Sequence, residues 1–232
     1  GKIHKIDLVN GEDTVIPFKV RVEMEVPAPL HYEHKVDQSE VELRFVQQPA
    51  LAASGALAFS ALGKIYIKKS DQDKPIQIST KNDWASYPTW AHDGTFLVYC
   101  TWNETGGHLW KYTIESQSTE QITKESAFYA TPAISPDNGR LVAYRTSEGI
   151  KRKTKYIPFP NEAEFIEIDL SNRSVSNFGV TGGFLYPQYA ADDKGILATS
   201  GFSGVMYQQL GSPRKIVAKS PIPAKEMKIN TG

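Results

Sequence analysis

Apolar and polar residues follow the same order four times along the chain. Each copy has a proline, a short apolar run, a polar turn that ends in glycine, and a run rich in β-branched and aromatic residues. The four copies begin with these segments: Pro49–Gly55, Pro88–Gly94, Pro132–Gly139 and Pro187–Gly195. Their prolines are roughly 40 to 55 residues apart, which is the size of a propeller blade and is longer than a leucine-rich repeat.

The second copy shows most plainly how one repeat divides into strands. Its candidate strands are short, rich in β-branched and aromatic residues, and separated by Gly, Asp, Asn or Ser. They cover residues 87–91, 96–102, 108–113 and 120–123. Four short antiparallel strands in each repeat predict an all-β fold, a β-propeller. Its full blades are expected over residues 48–83, 84–126, 127–181 and 182–219.

Both ends of the chain resemble pieces of a blade. Residues 2–8 and 14–18 match the third and fourth strands of a repeat, so residues 1–18 are expected to form a partial blade. Residues 220–232 match an inner strand and its turn, the start of a further blade. We therefore expect about four full blades between two partial ones, an arc cut from a larger propeller. Open strand edges pair with other chains, so we also expect self-association.

The segment between the first partial blade and the first full one interrupts the repeats. Residues 19–47 are interpreted as an elaborated connector, with strand candidates at Val20–Val26 and Val41–Val46. Its two histidines, His31 and His34, lack the further ligands that a metal site needs. We therefore interpret them as ordinary connector residues.

Composition and charge exclude several classes of function. The 232 residues include 26 Lys+Arg and 26 Asp+Glu, and this balance predicts no nucleic-acid partner. The basic run Lys151–Lys155 is interpreted as a solvated loop tip, with a recognition patch as the alternative. The single cysteine, Cys100, lies in an apolar run and is expected to be buried. No apolar stretch reaches the ~18 residues of a membrane span.

The chain also lacks a recognisable catalytic motif. The segment Gly201–Gly204 is one residue short of the G-x-S-x-G nucleophile elbow, and it falls in a predicted hairpin between strands. The double glycines at 106–107 and 182–183 lack the spacing of a phosphate-binding loop. We therefore expect no catalytic, cofactor-binding or metal-binding residue in this chain.

Several segments carry a resemblance to a known family. Tyr87–Tyr99 and Pro132–Tyr144 resemble TolB-type propeller repeats, whose pattern is proline, an aromatic residue, Ser-Pro-Asp-Gly and an apolar strand. Val15–Phe18, Ala58–Tyr66 and Cys100–Trp110 are similar to the large bacterial amidohydrolases that carry a TolB-like propeller ahead of their catalytic barrel. The similarity extends along nearly the whole chain.

This resemblance implies a noncatalytic propeller portion of an amidohydrolase-like protein, which recognises a substrate or partner or gates access to the barrel. The barrel itself would need a His-x-His pair and about 250 residues of βα units, which this sequence does not contain. The resemblance also implies a periplasmic or secreted protein. Two alternatives stay open: a stand-alone TolB-like module that binds proteins or peptides, and the propeller lid of a serine peptidase.

One end of the predicted blades is expected to be rich in aromatic residues. The connection into each blade and the turn between its second and third strands lie at the same end. These segments contribute Trp84, Tyr87, Trp102, His108, Phe128, Tyr129, Arg145, Phe184 and Tyr186. Aromatic and Arg side chains are enriched in protein interfaces and ligand pockets, so these residues form a candidate partner or ligand surface. The alternative is that the rings pack between blades as core.

Overall fold

The protein is described by a computed structural model over residues 1–25, 43, 45–71, 73–79, 83–154, 162–200 and 203–219. The chain divides into two compact units, residues 1–42 and residues 43–232. The further blade predicted over residues 220–232 lies outside the described residues, as do His31 and His34. Within the described ranges, no helix has the length and apolar character needed to cross a membrane.

The first unit contains a two-stranded antiparallel hairpin. Its strands are β1 (Ile3–Ile6) and β2 (Asp13–Ile16), and every residue in them is exposed to solvent. The hairpin has the two strands that the partial blade requires, and its assignment to a blade stays a prediction.

The connector that follows differs from expectation. Residues 17–25 form no strand, so the strand predicted at Val20–Val26 is wrong over its described part. An alternating sequence becomes a strand only where a neighbouring strand accepts its backbone hydrogen bonds, and none of the described strands pairs with this segment. The candidate at Val41–Val46 lies partly outside the described residues, and the next strand begins only at Gln47.

The second unit contains four antiparallel sheets of four strands each, arranged as the blades of a β-propeller. The first blade consists of β3 (Gln47–Leu51), β4 (Leu57–Ala61), β5 (Lys64–Lys68) and β6 (Ile76–Gln77). The second consists of β7 (Trp84–Trp90), β8 (Phe96–Trp102), β9 (Leu109–Thr113) and β10 (Ser118–Gln121). Neighbours in each sheet are also neighbours in sequence, as in a meander of hairpins.

The other two blades repeat this order, and the third contains a helical insertion. The third blade consists of β11 (Phe128–Ile134), β12 (Arg140–Thr146), β13 (Glu164–Asp169) and β14 (Val175–Val180), with helix α1 (Glu148–Lys153) after β12. The fourth consists of β15 (Leu185–Tyr189), β16 (Gly195–Ser200), β17 (Gly204–Gln209) and β18 (Lys215–Ala218). The first strands of successive blades contact one another, so they form the innermost layer. The predicted all-β propeller with four full blades is confirmed.

In the second and third blades, an Asp side chain stabilises the turn between the first and second strands. In the second blade the N–H and hydroxyl of Thr95 donate to Asp93 Oδ1 at 2.9 and 2.7 Å. In the third, Ser135 Oγ and the N–H of Gly139 donate to Asp137 Oδ1 at 2.5 and 3.0 Å. Because these donors favour the charged form, they hold the pKa of both carboxyls below its ordinary value of 3.8.

The hydrophobic core lies between adjacent blades. Ile65 of the first blade packs with Leu97 and Tyr99 of the second, and Phe165 of the third packs with Ile196 of the fourth. All five side chains are fully buried, and burial of a side chain of this size contributes about 1.5–3 kcal/mol. Cys100 lies in the cluster between the second and third blades with 1% exposure, which confirms its predicted burial.

Helix α1 corrects the interpretation of the basic run. The hydroxyl of Ser147 caps the helix by accepting the N–H of Ile150 at 3.3 Å, and the basic residues fall in its last turn, where the helix dipole favours them. Lys151 Nζ lies 4.4 Å from the centre of the Phe128 ring. The run Lys151–Lys155 is therefore not simply a solvated loop tip, because part of it forms a helix that packs on the blades.

Candidate functional site

Each inner strand carries the same irregularity, a β-bulge at its proline. In every blade the inner strand accommodates one extra residue against the second strand at this point. The residue before the proline has a positive φ in all four blades: Gln48 (52°), Tyr87 (55°), Thr131 (48°) and Tyr186 (54°). Such a backbone costs about 1–3 kcal/mol in a non-glycine residue. This strained conformation recurs in the innermost layer of all four blades, so this layer is a candidate location for a functional site.

The four bulges line one cavity of about 590 Å³, which we call the central cavity. Aromatic side chains and prolines form much of its wall: Tyr87, Trp90, Tyr186, Tyr189, Pro49, Pro88, Pro132, Pro136 and Pro187. None of the residues that line it is Lys, Arg, Asp or Glu. A concave, mostly apolar cavity of this size is typical of a small-molecule or peptide site.

Hydrogen bonds between neighbouring blades hold the wall in place. The N–H of Tyr87 donates to Gln48 Oε1 at 2.8 Å, which joins the second blade to the first. Thr89 Oγ1 donates to the carbonyl of Pro132 at 2.8 Å, which joins the second blade to the third. Because these bonds fix the bulged residues, contacts within the protein determine the shape of the cavity, and a wall fixed in this way would reduce the entropy lost on binding.

Two phenol groups of the cavity wall are neutral at pH 7. Burial raises the pKa of Tyr87 to about 12. Burial and the charge of nearby Glu167 also raise the pKa of Tyr189, so both phenols keep their protons at pH 7. His92 Nε2 lies 3.2 Å from the carbonyl oxygen of Ile134, to which it donates. Nε2 is therefore a donor, and only Nδ1 of this ring could accept a proton.

Two of the nine predicted site residues reach the central cavity. Tyr87 is half-buried in its wall, and Tyr186 is 51% exposed. Both lie within inner strands, at the bulges, rather than in the connections between blades.

Three other predicted residues meet at the end of the blades where the connections enter. Trp84 and Trp102 lie opposite each other in the register of β7 and β8. The rings of Trp102 and Phe128 make an edge contact, with 5.4 Å between their centres. Trp84 is 61% exposed, whereas the other two are half-buried. We call these three residues the aromatic rim.

Two predicted rings and the predicted arginine are engaged within the fold. Tyr129 and Phe184 are 2% and 4% exposed and belong to the clusters between blades. For these two rings the structure favours packing over binding. Arg145 forms ion pairs with Glu164 and, at 2.9 Å, with Glu125.

The remaining predicted residue, His108, is held by its neighbours in the second blade. Its Nδ1 lies 3.2 Å from Thr123 Oγ1 and 3.3 Å from Gln121 Nε2. The N–H of Leu109 donates to the same Thr123 oxygen at 3.1 Å, which leaves the threonine hydroxyl to donate to the ring. Because Gln121 Nε2 can only donate, Nδ1 accepts from its neighbours.

A metal centre is not formed by the described part of the chain. No group of three His, Cys, Asp or Glu side chains is placed to hold an ion among these residues. The segment Gly201–Gly204 is partly outside the described residues, and β17 begins at its last glycine.

Sequence reasoning missed most of the central cavity. Trp90, Gln188 and Tyr189 line it and were not among the predicted residues. Proline cannot donate to a ladder, so a proline within a predicted inner strand indicates a bulge. The repeated prolines therefore carried a usable signal.

Neither the models of known protein families nor the sequences of curated proteins match this chain. Solved structures do match. TolB from Acinetobacter baumannii is 15% identical, with 76% of this chain and 44% of that chain covered and a TM-score of 0.57. A putative TolB from Agrobacterium tumefaciens is 14% identical, with 77% and 64% covered and a TM-score of 0.60. The fold is that of a TolB-like propeller.

Peptidases are also among the similar structures. A puromycin-hydrolyzing peptidase from Mycobacterium tuberculosis is 12% identical, with 78% of this chain and 30% of that chain covered and a TM-score of 0.58. This chain thus spans less than two thirds of each of these three proteins. At such identities the likeness shows the fold alone, so the TolB-like resemblance is confirmed as a fold, and these structures do not bear on the predicted link to amidohydrolases.

Proposed function

We propose that this chain is a noncatalytic recognition module whose central cavity binds an uncharged, extended segment of a peptide. In the finer form of the proposal, the module is the propeller portion of an amidohydrolase-like protein and controls which substrates reach the catalytic barrel. The TolB-like fold and the sequence resemblance to amidohydrolases that carry such a propeller support it.

The composition of the central cavity carries the proposal. Tyrosine, tryptophan and proline surfaces contact apolar and aromatic groups well, and they offer few partners for a charge. Because the phenols of Tyr87 and Tyr189 are neutral at pH 7, a charged ligand would lose its hydration without gaining an ion pair. An uncharged segment avoids this cost.

The hydroxyl groups in the cavity favour binding over catalysis. Nucleophilic catalysis needs a hydroxyl or thiol next to a base. The hydroxyl of Thr89 is occupied by the carbonyl of Pro132, and the Nε2 of His92 by the carbonyl of Ile134. Neither hydrogen bond joins a hydroxyl or thiol to a base, as an activated nucleophile would require.

Calorimetry with matched peptides tests the binding site. We expect an uncharged proline- and tyrosine-containing pentapeptide to bind, and the same peptide with a central Asp or Lys to bind at least about tenfold more weakly. Tyr186→Ala is expected to weaken binding about tenfold. Tyr207→Ala is the control, because Tyr207 lies in β17 and does not line the cavity. Equal affinities for charged and uncharged peptides would contradict the proposed site.

The coding sequence downstream of position 232 tests the gating role. A downstream barrel with a His-x-His motif would support it, and in that protein Tyr186→Ala is expected to raise KM for peptide substrates while kcat is retained. A stop codon would favour the stand-alone interaction module. A downstream G-x-S-x-G motif would favour the lid of a serine peptidase, the reading that the similarity to the mycobacterial peptidase supports. Turnover by the chain alone, with or without Zn²⁺, would overturn the noncatalytic assignment.

A further inference from the structure

Trp84 is the most exposed member of the aromatic rim, and its surroundings are those of a cation-binding surface. We propose that its open face is a docking site for an arginine side chain on a polypeptide partner. The proposal concerns the end of the second blade and does not depend on any ligand in the central cavity.

The described neighbours of Trp84 leave one face of its ring open. Its other face lies on Gly63, where an added Cβ would come within 2.9 Å of Trp84 Cε3. A side chain at Gly63 would therefore displace the indole. With 61% of Trp84 exposed, the free face borders an open groove of about 570 Å³ that Leu62 and Trp102 also line.

The rim already binds cations from the protein itself. The guanidinium of Arg152 lies 5.3 Å from the centre of the Trp102 ring, and Lys151 Nζ lies 4.4 Å from that of Phe128. Among the residues that the structure describes, no cation lies over Trp84. In the third blade, the ring of Phe128 is covered by Lys151 of the same blade. In the second blade, the ring of Trp84 is exposed to solvent.

Charge complementarity specifies the occupant. Asp83 and Glu104 line the groove beside the indole. Asp83 Oδ1 accepts from Asn103 Nδ2 at 2.7 Å, and the Glu104 side chain makes no ion pair with a described residue. Lys64 also lines the groove, and its ammonium donates to the main-chain carbonyl of Asp83 at 2.8 Å. A planar guanidinium can stack on the indole while its N–H groups reach a carboxylate, which an ammonium does less well. Arginine is therefore the occupant that uses both features.

NMR of the tryptophan indole N–H signals tests the proposal on the whole chain. The signal of Trp84 is assigned from its loss in Trp84→Phe. The probe is the capped pentapeptide Gly-Gly-Arg-Gly-Gly, the matched neutral probe has norleucine in place of arginine, and tetramethylammonium chloride represents a free cation. We expect the arginine peptide to shift the Trp84 signal with millimolar affinity and the norleucine peptide to bind at least about threefold more weakly.

Variants that lack the carboxylates of the groove measure the contribution of charge to binding. Asp83→Asn combined with Glu104→Gln is expected to weaken the arginine peptide about threefold and to leave the norleucine peptide unchanged. Glu115→Gln is the matched control, since this exposed carboxylate lies in the turn after β9, outside the groove. None of these residues belongs to the hydrophobic core, and an unchanged circular dichroism spectrum is the check that each variant is folded.

Three results would overturn the proposal. The first is no shift of Trp84 with the arginine peptide. The second is an equal affinity for arginine and norleucine peptides, which would make the surface merely apolar. The third is equal binding of tetramethylammonium, which would assign the site to a free cation instead of a polypeptide side chain.

Discussion

Arg140 joins the third blade to the fourth, and its replacement by methionine tests how the blades are held together. The guanidinium forms ion pairs with Asp193 of the fourth blade and, at 3.4 Å, with Glu167 of its own blade. It also lies 5.3 Å from the centre of the Tyr189 ring. Tyr189 in turn donates to Glu167 Oε1 at 2.9 Å. One cation thus lies between a carboxylate of each blade, and a third carboxylate, that of Asp137, lies 4.0 Å from it.

The expected loss follows from the burial of these groups. The side chains of Arg140, Glu167 and Asp193 are 30%, 15% and 33% exposed. Removal of one partner from a fully buried pair costs about 3–5 kcal/mol, whereas an exposed pair contributes at most about 1 kcal/mol. Because this cluster is partly exposed, we expect Arg140→Met to lower the free energy of unfolding by about 2 kcal/mol, or Tm by about 4–8 °C.

Urea denaturation at pH 7 measures this change. The control is Arg173→Met, since Arg173 and Glu120 form an ion pair of 2.8 Å with side chains 42% and 48% exposed, and its loss is expected to cost less than about 0.5 kcal/mol. A double-mutant cycle of Arg140→Met and Asp193→Asn gives the coupling energy between these two side chains, one from each blade. If Arg140→Met costs no more than Arg173→Met, the reasoning from burial is refuted.

Three further predictions concern single positions. Asp137→Asn is expected to reduce the loss of stability at acidic pH, because the pKa of Asp137 is lowered chiefly by the hydroxyl of Ser135. The contribution of this carboxylate to the free energy of unfolding is present above about pH 4 and is lost as the pH falls further. Urea titrations at several pH values measure it. Thr131→Val is expected to stabilise by about 1 kcal/mol, since its buried hydroxyl has no hydrogen-bond partner among the residues that the structure describes; a lower Tm would contradict this. Gly63→Ala is expected to destabilise by about 1–2 kcal/mol, because φ is +70° and Trp84 must move; unchanged indole fluorescence and Tm would count against that contact.

The sequence was sufficient to predict the blades because their determinants are local. In Pro132–Gly139 and its counterparts, Asp or Asn and Gly determine the turn, and the alternating runs on either side determine the strands. The same local rules failed over residues 20–25, the described part of the candidate Val20–Val26, where the pattern is present but no described strand pairs with it. A strand needs its partner, and the partner is a property of the fold.

The candidate site was predicted only in part, because its parts meet through tertiary contacts. Tyr87 and Tyr186 were predicted as aromatic residues at repeated positions, but their location on the cavity wall follows from the bulges. The contact between Lys151 and Phe128 depends on where helix α1 packs, which charge patterning along the chain does not reveal. Repeats thus specify a scaffold more readily than the surfaces that the scaffold presents.

The four bulges also bear on how such a protein can change over time. The positions before the prolines are occupied by Gln48, Tyr87, Thr131 and Tyr186, which differ in size and polarity although their backbones are nearly alike. The hairpin ladders therefore tolerate exchange at these positions. Each blade offers one replaceable side chain to a shared pocket, so ligand preference can evolve one blade at a time while the architecture stays constant.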